Sequence, residues 1–299
     1  MIRKILLSLK FVIICNCASA QYTYGTTGLL NMPTADMQKD GTFMFGGGYL
    51  EKHASPARWF YDTYNYYINI TFFSWLEINY HCVLHKSVKE DYGTGSNSYW
   101  VPYTYGRFVN QDRQFNVRIR IWKEGYWKSW TPQLVIGSDD VSSNSWGDTD
   151  SRFEIANNYS NGFGNRYYLA ATKHFELDKI GILGIHATYL YNKRLDYPLN
   201  GISLGVNFQF SLQNKELFIN KLLNKFNIML EGYPIDGRGT YRVNTYYGAI
   251  HYDRGVHIGK YDINIGACYS FWKDRINLYG ELYGCKDFSG GIQFKVHLK

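Results

Sequence analysis

Apolar and polar residues take strict turns over stretches of about ten residues, and this period of two constrains the fold more than any motif in the chain. From Ser203 to Ser211, Leu204, Val206, Phe208 and Phe210 alternate with Ser203, Gly205, Asn207, Gln209 and Ser211. The same pattern sets Phe115, Val117, Ile119 and Ile121 against Asn116, Arg118 and Arg120. It sets Ile263, Ile265, Ala267, Tyr269 and Phe271 against Asp262, Asn264, Gly266, Cys268 and Ser270. At the end of the chain Ile292, Phe294, Val296 and Leu298 alternate with Gln293, Lys295 and His297. Residues 76–84, 183–191, 226–230 and 276–282 give further candidate strands, of a length that suits a tilted strand crossing a bilayer. Turn signals stand between strands at Asp236-Gly237-Arg238-Gly239, Asp253-Arg254-Gly255, Lys273-Asp274-Arg275 and Asn161-Gly162-Phe163-Gly164-Asn165. Only residues 214–225 hint at a helix, and they read equally as an interfacial helix or a loop.

The polar face separates a membrane barrel from a soluble sandwich. A sandwich turns that face to bulk water and fills it with Lys and Glu. Here it holds mostly Gly, Ser, Asn, Thr, Gln and Tyr with scattered charge, which suits a confined, partly hydrated lumen. The chain carries 28 Tyr, 18 Phe and 8 Trp at a mean hydropathy of −0.34, so aromatics are abundant without a long apolar run. The expected fold is all-β, a transmembrane antiparallel β-barrel of about 12–14 strands. Residues 86–98 and 137–161 exceed ordinary hairpin turns and read as extracellular loops. Aromatics near strand ends, such as Tyr64, Tyr66, Trp122, Trp127 and Trp130, fit interfacial girdles, although a sandwich core or a sugar platform uses the same residue types. The chain ends Val296-His297-Leu298-Lys299, without the terminal aromatic common in outer-membrane barrels.

The first twenty residues read as a secretory signal. Arg3, Lys4 and Lys10 accompany an apolar run that closes on Ala18-Ser19-Ala20, with cleavage expected before Gln21. Residues 21–299 are then a single barrel domain, expected in a bacterial outer membrane. Cys17 raises lipidation as a rival, against which Asn16 occupies a position where a lipobox carries Gly or Ala. Loss of three basic residues with the signal lowers the formal charge from +7 to +4, too little to single out nucleic acid as a partner.

Polar chemistry is sparse. Glu77, Arg118, Arg120, Glu231, Glu281 and Lys295 are candidates for an inward-facing set that lines a passage or contacts a charged glycan, or whose members simply pair with one another. Cys82, Cys268 and Cys285 are expected as free thiols. A hairpin at Lys273–Arg275 would put Cys285 opposite about Ile263, out of disulfide reach of Cys268. His81, Cys82 and His85 cannot converge on one metal while their strand stays regular, and Asp139, Asp140, Asp148 and Asp150 read as a solvated loop before a calcium site. No nucleophile elbow, phosphate loop or dinucleotide fingerprint is present, so no catalytic residue, metal or cofactor is expected.

The run Gly25-Thr26-Thr27-Gly28-Leu29-Leu30-Asn31-Met32-Pro33-Thr34-Ala35-Asp36-Met37, followed by Asp40-Gly41-Thr42-Phe43, resembles the opening of the YjbH family of exopolysaccharide-linked outer-membrane proteins. Gly28, Leu29, Pro33, Thr34, Ala35 and Gly41 carry the motif, and Asp36 stands where the family has a basic residue. Shorter similarities follow in the same order at residues 73–77, 112–118, 134–140 and 166–173. The resemblance implies a barrel that assists assembly or export of an extracellular polysaccharide, as conduit or assembly partner. Its expected partners are membrane lipid, the polysaccharide and other export-machinery proteins. Two other readings stand beside it: an outer-membrane enzyme acting on lipid or glycan, which needs a polar triad at one rim, and a secreted sugar-binding β-sandwich.

Overall fold

A computed structural model describes residues 24–50, 63–86, 108–139, 166–192, 201–213, 217–234, 240–242, 249–251, 257–258 and 261–298. Its strands are β1 (Thr42–Leu50), β2 (Thr63–Phe73), β3 (Leu76–Lys86), β4 (Phe108–Trp122), β5 (Gln133–Asp139), β6 (Arg166–Leu177), β7 (Gly181–Asn192), β8 (Gly201–Phe210) and β9 (Phe226–Pro234), then the short β10 (Thr240–Arg242), β11 (Ala249–His251) and β12 (His257–Ile258), and finally β13 (Tyr261–Phe271), β14 (Ile276–Tyr283) and β15 (Asp287–His297). Twelve of them, β1 to β9 and β13 to β15, close into an antiparallel barrel in which β15 pairs with β1 and β13 pairs with β9, and the short β12 joins the same sheet beside β13. These pairings close the sheet on itself, so the barrel has no edge strand left to aggregate.

The alternation read from the sequence sorts the side chains as a membrane barrel requires. On β4 Phe115, Ile119 and Ile121 are exposed while Asn116 and Arg118 are fully buried. On β13 Ile265 is exposed and Asp262, Asn264 and Cys268 are buried. Polar residues therefore face inward and apolar ones outward, the reverse of a water-soluble core.

The two ends differ. Thr42 pairs with His297, so β1 begins where β15 ends, and the turns 74–75, 123–132, 178–180 and 272–275 lie at this same end. The outer face here carries Phe73 stacked on Trp75 at 5.5 Å between ring centroids, with Trp122 and Trp272 also exposed. At the opposite end exposed tyrosines take over, at Tyr64, Tyr66, Tyr167, Tyr189 and Tyr191. Ile68, Ile136, Leu169, Ile185, Leu204 and Leu230 lie between these belts on the outside. Two aromatic bands flanking an aliphatic one match the depth profile of a bilayer. No described helix is long and apolar enough to cross a membrane, and the crossing elements are strands.

Several details depart from the sequence reading. Residues 137–139 belong to β5 rather than to a loop, and the rest of 137–161 lies outside the described residues. Lys86 closes β3, and 87–98 also lies outside them. The helical hint near 214–225 condenses to a six-residue helix α1 (Phe218–Leu223) with no buried residue. The Lys273–Arg275 turn joins β13 to β14 as expected. The other three turn signals, the signal segment and Asp140, Asp148 and Asp150 lie outside the described residues, while Asp139 is buried at the end of β5.

Candidate functional site

The lumen is occupied by the chain itself. Nearly every residue from Tyr24 to Gln38 is buried, although none belongs to a strand of the barrel. Glycine 28 bridges Pro33, and the Leu29 amide donates to the Met32 carbonyl at 3.1 Å, so the segment doubles back as a hairpin with Leu30 and Asn31 at its tip. Backbone groups away from water must find partners. Inward side chains from around the barrel wall supply them.

The hairpin enters beside β2, β3 and β4. Asn69 and Asn79 donate to the Gly25 carbonyl at 2.9 and 3.0 Å. Glu77 accepts from the Thr27 amide and the Thr27 hydroxyl, both at 2.7 Å, and from Asn69 at 2.7 Å. Arg118 pairs with Glu77 at 3.3 Å and donates to the carbonyls of Thr27, Thr34 and Asp36. One guanidinium thereby ties both arms of the hairpin to the wall, using the forked donor geometry that distinguishes Arg from Lys.

The tip reaches the opposite wall. Glu231 on β9 accepts from the consecutive amides of Leu30, Asn31 and Met32 at 3.2, 2.9 and 3.1 Å, and from Asn264 at 3.0 Å. Successive amides turned toward one carboxylate make an anion-binding nest. Glu281 on β14 accepts from the Asn31 side chain. Close approach needs small residues behind it. A Cβ on Gly205 would sit 2.5 Å from Leu29 and 2.7 Å from Met32, and one on Gly266 would sit 2.6 Å from Leu30.

The second arm returns along β7, β6 and β5. Thr188 donates to the Pro33 carbonyl at 2.6 Å, the Ala35 amide donates to Thr172 at 2.9 Å, and Gln133 donates to the Ala35 carbonyl. Thr172 contacts His186 Nδ1 at 2.9 Å, and His186 Nε2 contacts Asn207 at 2.7 Å. With the Asn207 oxygen as acceptor, His186 carries its proton on Nε2 and accepts from Thr172 through Nδ1. The Asp36 carboxylate lies 3.4 Å from His174 and 3.8 Å from His186, so the acid standing in the family's basic position faces two histidines. Gly41, at φ +67°, turns the chain into β1, with its amide on the Thr71 carbonyl at 2.9 Å.

On the other side of the His174 ring from Asp36, Glu124 in the β4–β5 turn accepts from Lys173 at 2.7 Å and from His174 Nδ1 at 2.7 Å. Burial pushes its carboxyl up, but these hydrogen bonds and the His174 amide outweigh burial and bring it down to about 2.

The six candidate residues thus separate. Glu77, Arg118, Glu231 and Glu281 converge on the hairpin and are buried. Arg120 lies toward the short-turn end, bonded to Ser74 at 2.9 Å, and Lys295 is buried on β15 without touching the hairpin through any observed hydrogen bond. Among the described members only Glu77 and Arg118 pair with each other. Sequence reasoning missed Asn69, Asn79, Gln133, Thr172 and Thr188 as wall contacts; their only signal was an inward position in the alternation. No disulfide joins Cys82, Cys268 or Cys285 among the described residues, and the Cys285 thiol lies 3.4 Å from the Ile263 carbonyl, close to the position its hairpin implied.

These features define a transmembrane β-barrel whose lumen is filled by its own polypeptide. Residues 20–146 match the model of the YjbH family, described as exopolysaccharide biosynthesis protein YbjH, and this match bears out the resemblance carried by the Gly25–Met37 motif. The uncharacterized lipoprotein YjbH of Escherichia coli (strain K12) is 26% identical over 159 residues, covering 49% of this chain and 20% of its own length. The chain therefore spans about a fifth of that relative. Among solved structures, the Salmonella typhi outer membrane phospholipase (OMPLA) dimer with bound calcium aligns over 93% of this chain and 96% of its own at 8% identity and a TM-score of 0.33. A mutant of Rh. blastica porin aligns over 78% of this chain and 55% of its own at 10% identity and a TM-score of 0.28. Neither likeness assigns an activity.

Proposed function

We propose that this chain is an outer-membrane barrel that assists the assembly or export of an extracellular polysaccharide, acting as an assembly partner with a closed lumen rather than as a standing conduit. The observation that carries the closed-lumen reading is the engagement of Glu77, Arg118, Glu231 and Glu281 with the hairpin, which leaves none of these four lining an empty passage. The family match supplies the polysaccharide context. In the outer-membrane reading the short turns face the periplasm and the long connections face outward. Residues 21–299 form one domain after signal removal, and other export-machinery proteins are the partners.

An enzyme is the weaker reading. Among the described residues Thr172, His186 and Asn207 come nearest to a nucleophile–His–Asx array, but Thr172 and His186 are buried in the lumen and the Thr172 oxygen already accepts the Ala35 amide. A reactive hydroxyl needs access to substrate.

The test is deletion of the gene and complementation, reading polymer at the cell surface, paired with single-channel recording of the purified barrel. Loss of surface polymer restored by the wild type, with no steady channel, supports the assembly partner. A steady channel turns the reading to a conduit, and unchanged polymer on deletion removes the polysaccharide role.

A further inference from the structure

The rim at the short-turn end carries bulky apolar side chains beside lysines, turn after turn. In the β4–β5 turn Tyr126, Trp127 and Trp130 are 79%, 77% and 63% exposed, with the Lys128 ammonium 5.7 Å from the Trp127 ring centre. Helix α1 and its preceding residue expose Leu217, Phe218 and Ile219, with Lys221 in its last turn, and the Lys225 ammonium stands 5.8 Å from the Tyr269 ring centre. Exposed Ile180 adjoins Lys179, and exposed Trp272 adjoins Lys273. Among the described residues, no carboxylate lies within ion-pair distance of these five lysines. The acids of the rim do not cancel them: Asp40 accepts the Ser74 amide and Glu124 is held by Lys173 and His174, which leaves Glu176, Asp178 and Asp274, fewer than the five lysines.

We propose that this rim is a docking surface for anionic phospholipid, with α1 lying in the headgroup layer. Rings sit at the level of the ester groups, and lysines on flexible stems reach past them to phosphate. A helix too short to span that exposes Phe218 and Ile219 beside Lys221 fits that layer, and a cluster of ammonium groups without carboxylate partners favours a headgroup with net negative charge over a zwitterionic one. The inference rests on the membrane barrel alone, so it stands or falls separately from the polysaccharide role.

The experiment uses the mature chain folded into vesicles of equal phosphatidylcholine and phosphatidylglycerol, extracted in mild detergent, with retained lipid weighed by native mass spectrometry. The wild type is expected to retain phosphatidylglycerol at several times the level of phosphatidylcholine. A variant with Lys128, Lys179, Lys221, Lys225 and Lys273 changed to Gln, still shifting in gel mobility on boiling, is expected to retain both equally. Equal retention by the wild type, or enrichment that survives in the variant, overturns the proposal. So does rim-dependent capture of an acidic polysaccharide, alginate, without lipid enrichment. For α1, a nitroxide on Ile219→Cys in a Cys285→Ser background is expected to be relaxed by oxygen more than by a water-soluble nickel chelate, and the reverse order overturns its place in the headgroup layer.

Discussion

Glu77 and Arg118 form an ion pair at 3.3 Å with both side chains fully buried, and both also hold the hairpin, Glu77 through Thr27 and Arg118 through the carbonyls of Thr27, Thr34 and Asp36. Such a pair resists loss of one member more than its net contribution suggests, because removal leaves an uncompensated charge. Arg118→Ala is expected to destabilise the barrel by roughly 3–5 kcal/mol, read as a lower temperature for the boiling-induced mobility shift. Replacing both residues by apolar ones of similar size is expected to cost less than Arg118→Ala alone.

Gly205 is the seat of the hairpin tip. Gly205→Val pushes a side chain into Leu29 and Met32, where even a Cβ would stand 2.5 Å from Leu29, and is expected to cost about 1–3 kcal/mol and loosen the hairpin. Gly232→Ala is the control, since its Cβ would meet Ile263 at an ordinary 3.7 Å. Limited proteolysis of the folded protein checks both, with cleavage within residues 24–38 expected for the valine variant only.

The β4–β5 turn should detach in acid. The folded carboxyl of Glu124 lies at about 2, below its ordinary 4.5. A depressed carboxyl contributes stability that is present above the ordinary value and lost as pH falls through the folded one. Tryptophan emission from Trp127 and Trp130 is therefore expected to shift between about 4.5 and about 2. In Glu124→Gln that transition is expected to disappear.

The thiols give a topological check. Cys285 is exposed, whereas Cys82 and Cys268 are buried. Maleimide is expected to label Cys285 in the folded barrel and the other two after unfolding without reductant. Fewer than three labelled sites in the mature chain would reveal a disulfide.

The wall was legible in the sequence and its contents were not. Inward Arg118 and outward Ile119 follow from a period of two that any strand imposes, because successive Cβ atoms point to opposite faces. Residues 29–32 of the hairpin turn have no period, and the partner of Asn31 is Glu231, 200 residues away. Local pattern carries no information about a contact of that separation. A hint did exist, in that Glu231 and Glu281 fall on inward positions with no basic residue opposite either in the paired strands: Asn264 and Gly205 face Glu231, and Gly266 and Ser289 face Glu281. Buried carboxylates require donors, and the missing donors were the hairpin's backbone amides for Glu231 and the Asn31 side chain for Glu281.

Hydrogen–deuterium exchange over residues 24–38 of the detergent-folded barrel tests the occupied lumen most directly. The amides of Thr27, Leu30, Asn31, Met32 and Ala35 are bonded to buried side chains outside any sheet. They are expected to exchange as slowly as amides in the middle of β3 or β13. Exchange of this stretch at the rate of an unstructured peptide, in a barrel whose strands stay protected, would contradict the account.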